Sequence, residues 1–176
     1  SLVNLDKKTI GIMHLDEVEQ PKTENLTSQL NQHYNFRALN PSDKIPNNID
    51  VILITGAKDS LDSATLNNLD EFLNTGKKIL LTQGGINADI QTQQASPIVS
   101  NIFDFLSKYR IDLKKNLILD SKCGNVQVQQ SVGLFRMNRA VQYPFFPIID
   151  RFNTQDSIPN IIVNNLEQVL PLFPSE

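Results

Sequence analysis

The chain has 176 residues, 40% hydrophobic and 20% charged, with a net charge of −3. At about 150 residues per domain this makes one globular domain, too apolar to be disordered. So mild an acidity leaves no whole-chain electrostatic footprint for nucleic acid or anionic lipid.

The single cysteine, Cys123, excludes an internal disulfide and a thiolate metal cluster, and His14 and His33 leave little for a zinc site. No metal or other cofactor is expected. No apolar run approaches the roughly 20 residues of a membrane helix. Ser1-Leu2 reads as a cloning remnant, and the chain as a soluble piece of a longer protein.

In chain order, Lys8 to Met13 (KTIGIM) reads as a first strand. Pro21 to Tyr34 is a modest amphipathic helix with Leu26 and Leu30 at i, i+4. Phe36 to Leu39 is a short strand, followed by an Asn- and Pro-rich loop to Asn48. Asp50 to Thr55 (DVILIT) is continuously apolar, as in a parallel strand buried on both faces. Asp62 is an N-cap for a helix with Leu66, Leu69, Phe72 and Leu73 on one side, and Gly76 stops it. Lys78 to Thr82 (KILLT) is read as a second central strand beside Asp50 to Thr55.

Ile86 to Ala95 reads as a polar loop, Ser96-Pro97 as a helix start, and Asn116 to Leu119 as a further strand. Beyond Asp120 the pattern becomes irregular, with a strand at Val126 to Val128 and an apolar run Ile161-Ile162-Val163. Strand, helix, strand units of about thirty residues predict a doubly wound α/β domain, with a mainly parallel sheet and helices on both faces. Residues 1–176 are read as one such domain, with 120–176 as an irregular extension packed on it.

Ligands of open α/β sheets bind at the carboxyl ends of strands. Three strand ends carry candidates: His14, Gly56, and Gln83-Gly84-Gly85. Gly56, Gln83, Gly84 and Gly85 are the candidate ligand residues, since glycine turns allow close backbone approach and an amide both donates and accepts. Walker and dinucleotide loops are absent, so the glycine pair is otherwise a tight turn. Gln83 is no nucleophile, and Thr82 has no local base. His14 reads as a partly exposed residue bonded to its loop, His33 as a surface residue, and Cys123 as a partly buried inert thiol. Asp16, Glu17 and Glu19 lack a calcium-loop spacing.

Tyr143-Pro144-Phe145-Phe146-Pro147 is the oddest local feature. It either covers the core or forms an interface, with Tyr143, Phe145 and Phe146 as interface candidates. One of the two phenylalanines is expected buried and the other partly exposed.

Asp50 to Gln83, Leu106 to Ile111, Leu117 to Asp120 with Cys123 close behind, Tyr143 to Pro147, Asn164 to Glu167 and Leu172 to Ser175 follow one another in a familiar order. In these segments the chain resembles the extracytoplasmic domain of the gliding-motility-associated auxiliary component of an uncharacterised ABC transport system. The resemblance implies a membrane-anchored parent on the periplasmic side, with permease and ATPase partners. It also implies a fold similar to class I glutamine amidotransferase-like domains without their catalytic cysteine, so that Gln83 stands at the nucleophile position. Catalytic residues are not implied. The expected function is a non-catalytic binding or scaffolding domain. The alternatives are a hydrolase-like enzyme and a carbohydrate-binding domain, either acting at the strand-end crevice.

Overall fold

The computed structural model describes residues 7–16, 23–89, 92, 94–132, 135–150 and 168–176. The expected apolar run Ile161 to Val163 lies outside them. The chain divides into two compact units, Ser1–Gly84 with Ile98–Leu113, and Gly85–Pro97 with Lys114–Glu176.

The first unit is built on β1 (Thr9–His14), α1 (Glu24–Leu30), β2 (Asn35–Leu39), β3 (Val51–Thr55), α2 (Ser63–Asn74) and β4 (Lys78–Thr82). The four strands form one parallel sheet in the order β2-β1-β3-β4. α2 starts where its cap was read: the Asp62 carboxylate accepts from the Thr65 amide at 2.6 Å. Its end is marked by Gly76 at φ +79°, a conformation that costs glycine little.

Side chains in a strand alternate between faces. Met13, Ile52 and Ile54 share one face by register, and they are the sheet's most buried residues. Leu69 and Phe72 of α2 join them in one apolar cluster. So do Ile102 and Phe105 of α3 (Ile102–Lys108), which returns to this unit after the excursion of residues 85–97. Tyr109 ties α3 to α2 by donating to Asp70 at 2.8 Å.

The other face differs from expectation. β4 is an edge strand, and Leu80 is 61% exposed, so it is not a central, doubly covered strand. Apolar composition reports a strand's affinity for a core, but not how many neighbours it acquires. α1 buries none of its side chains.

The second unit begins with β5 (Ile86–Asp89) and β6 (Gln94–Pro97), an antiparallel pair where a loop and a helix start were expected. Pro97 ends a strand instead of opening a helix, a position where its missing N–H is tolerated. The helix start lies further on, where Ser100 Oγ accepts from the Ile102 amide at 3.2 Å.

Asn116 to Leu119 is not a strand. Its backbone bonds singly to the C-terminal tail, Ile118 donating to the Pro174 carbonyl at 2.9 Å. Proline offers no N–H in return, so no ladder propagates. β7 (Cys123–Val132) and β8 (Phe135–Pro147) form a long antiparallel ribbon, much longer than the short strand read at Val126 to Val128.

Candidate functional site

The order β2-β1-β3-β4 runs outward from β1 in one direction and from β3 in the other. Loops leaving β1 and β3 therefore diverge, and a crevice opens at their carboxyl ends. An open cleft of about 840 Å³ lies there, lined among others by His14, Asp16, Asn40, Ser42, Asp59 and Asp62. That volume is in the range of small-molecule sites.

Its polar groups are held by neighbours. His14 Nδ1 and Thr55 Oγ1, paired across β1 and β3, share a hydrogen bond of 3.0 Å. Asp16 lies 3.6 Å from the Lys58 ammonium. Ser42 donates its hydroxyl to Asp62 at 3.0 Å. The Asp62 carboxyl is held below its ordinary 3.8, first by the Thr65 side chain, then by the Thr65 amide, then by the Ser42 hydroxyl.

Two side-chain amides fix the loop that follows β3. Gln83 Oε1 accepts from the Ala57 amide at 2.8 Å, and its Nε2 donates to the Ala57 carbonyl at 3.0 Å. Asn101 does the same to Leu61, with both bonds at 2.8 Å. Ser100 Oγ adds a bond to the Asp59 carbonyl at 2.7 Å. This part of the cleft wall is thus held in place before any ligand arrives, which lowers the ordering cost of binding.

The four expected ligand residues do not all come together. Gly56 packs closely under Gln83: a Cβ there would lie 2.6 Å from the Thr82 carbonyl oxygen and 2.8 Å from Gln83 Oε1. Gln83 Nε2 also donates to the Gly84 carbonyl at 2.8 Å, so Gly56, Gln83 and Gly84 lie together beside the loop. Gly85 belongs to the second unit, where its amide donates to Ser175 Oγ at 2.9 Å. His14 pairs with Thr55 of the neighbouring strand, a bond that the sequence reading did not anticipate. Asn101 was missed, since a lone asparagine carries no sequence signal for a bond made forty residues away.

In the second unit, Tyr143, Phe145, Phe146 and Phe173 form an aromatic cluster. Centroids are 4.9 Å apart for Tyr143–Phe146 and 5.1 Å for Phe146–Phe173, both edge-on. Phe146 is buried and Phe145 half-buried, the split expected from the sequence. Tyr143, Phe145 and Phe173 also line a hollow of about 460 Å³ with Val126 and Val128. Cys123 is buried.

Among the described residues no cluster of His, Cys, Asp or Glu is arranged to hold a metal ion. Nor is any helix among them long and apolar enough to cross a membrane.

No curated protein matches the sequence. A solved structure described as the mmIFT52 N-terminal domain is similar in fold, with a TM-score of 0.57 and 14% identity over 93% of this chain. The chain spans 65% of that structure's length, less than two thirds. The model of the family described as an ABC-type uncharacterized transport system matches residues 7–176. The chain accordingly belongs to the ABC-type uncharacterized transport system family.

Proposed function

We propose that this chain is a non-catalytic binding or scaffolding domain, working with the permease and ATPase of its transport system from the periplasmic side of the membrane. The sheet is read as the doubly wound, amidotransferase-like kind, which binds ligands at the strand-end crevice. One observation carries this reading: the cleft sits at that crevice, its wall fixed by Gln83 and Asn101, and its polar groups oriented by protein bonds. Such a site suits a small polar solute that is held, not converted. Gly56, Gln83 and Gly84 support its edge, and Phe145 and Tyr143, the latter packed over the buried Phe146, belong to the surface offered to a transporter subunit. A gliding-motility role belongs to the same proposal.

A solute screen by thermal shift tests it. Binding should be weakened by Asn40→Ala and Asp59→Ala, with the unliganded melting temperature unchanged. Binding that survives both substitutions undiminished sinks the location.

A hydrolase is the second reading. It is favoured by the 3.0 Å contact of His14 with Thr55, the reach a base needs to activate a hydroxyl. Labelling by an acyl-enzyme-forming probe that vanishes in Thr55→Val, but not in Cys123→Ala, would establish it over the first.

A further inference from the structure

The whole-chain charge of −3 hides a local one. From Cys123 to Pro147 the sequence holds two arginines, Arg136 and Arg139, and no lysine, aspartate or glutamate. This is the ribbon β7–β8. At about 3.3 Å per residue the ten residues of β7 span about 33 Å.

Its register sorts it into two faces. Val126 pairs with Val141, Val128 with Arg139, and Gln130 with Met137. By alternation Val126, Val128, Met137, Arg139 and Val141 lie on one side, with Gln130 at the register position opposite Met137. Asn125, Gln127, Gln129, Asn138, Ala140 and Gln142 lie on the other, almost all of them neutral amides.

Among the described residues the apolar side is only partly covered. Near its base Val126 and Val128 meet the aromatic hollow, but Met137 remains 60% exposed and Val128 and Val141 about 40%. A two-stranded ribbon is marginal in water unless its apolar face is packed.

We propose that this side of the ribbon lies on the surface of an anionic lipid bilayer. Val128, Met137 and Val141 would enter the boundary between headgroups and acyl chains, with Arg139 reaching the phosphates. Charge complementarity selects the bilayer: the face combines apolar side chains with arginine, and nothing on the ribbon repels a phosphate. The amide side stays in water, where its groups remain hydrated. This rests on the reading that the chain works beside a membrane. It does not depend on the strand-end cleft binding a solute or on capture of a transporter subunit, and both are measured separately.

The chain contains no tryptophan, so Met137→Trp is a lone reporter. With phosphatidylglycerol-rich vesicles its emission should shift to the blue and be quenched by brominated lipid. Val99→Trp, 76% exposed in the first unit, should stay unshifted. Phosphatidylcholine vesicles should bind more weakly, and salt should weaken binding to the anionic ones. Arg139→Gln should lower affinity for anionic vesicles about fivefold, the worth of one arginine near such a surface. An unshifted Met137→Trp spectrum in a protein with unchanged circular dichroism overturns the proposal. So does an equal response at Val99→Trp. A shift produced by purified permease in detergent but by no vesicle overturns it as well, and makes the ribbon a protein interface.

Discussion

Gln83 grips Ala57 by both backbone groups at once, accepting from its N–H and donating to its C=O. An amide side chain here takes the part of a neighbouring strand, holding the chain where it leaves the sheet. Gln83→Ala would leave both Ala57 groups without their partner, and Ala57 is buried. The expected cost is about 1–3 kcal/mol, read by urea unfolding. Gln83→Glu keeps the acceptor but sets a carboxylate oxygen against the Ala57 and Gly84 carbonyls, and should cost at least as much. If Gln83→Ala unfolds like wild type yet abolishes solute binding, the side chain contacts ligand and is not a loop clasp.

Asp62 predicts a pH dependence. Its carboxyl is held below 3.8 by bonds that only the folded chain supplies. The folded state then binds that proton less readily than the unfolded one. The contribution is therefore present above the unfolded value and lost as pH falls through the lower folded value. Asp62→Asn keeps a capping oxygen but cannot titrate. The stability difference between wild type and Asp62→Asn should be constant near neutrality and shrink in acid. A difference that stays constant down to about pH 2 would show that the cap does not titrate as described.

Leu80 and Ile54 sit one residue out of register on adjacent strands, yet their substitution costs should differ several-fold. Ile54 is 1% exposed, so Ile54→Ala should cost about 2–5 kcal/mol. Leu80 is 61% exposed, so Leu80→Ala should stay within about 0.5 kcal/mol. Equal costs would mean that the second face of the sheet is covered.

The Tyr109 hydroxyl is pushed above its usual 10.0, first by burial, then by its hydrogen bond to Asp70 and by that carboxylate's charge. Its folded form holds the proton more tightly, so stability falls as pH rises past the unfolded value and on through the folded one. In Asp70→Asn the tyrosinate absorbance should appear at lower pH than in wild type. An unchanged titration would mean that the bond is not maintained in solution.

The first sheet was legible in the sequence because its strands and α2 carry their own punctuation: apolar runs, the Asp62 cap, the Gly76 stop. The edge position of β4 was not, since DVILIT and KILLT read alike while only β3 gains a neighbour on each side. The β5–β6 pair was hidden because Ser96-Pro97 matches a helix start locally, and only the pairing partner ten residues upstream decides otherwise. Of the residues lining the cleft, sequence singled out His14 at a strand end, whereas Gly56 and Gln83 stand outside that lining. It could not find Asn40, Ser42 or Asp59, which lie in loops whose approach depends on the strand order.

The first unit is interrupted, and this matters while the chain is being made. When Gly84 leaves the ribosome, the parallel sheet has all four strands but lacks α3, and with it Ile102 and Phe105 of its apolar cluster. The β5–β6 segment must be synthesised before those two side chains exist. The nascent sheet therefore waits with part of its cluster unfilled, the interval in which exposed apolar surface invites misassembly. Stopping translation after Gly84 would yield a sheet short of its last helix, whereas stopping after Leu113 would release the first unit complete.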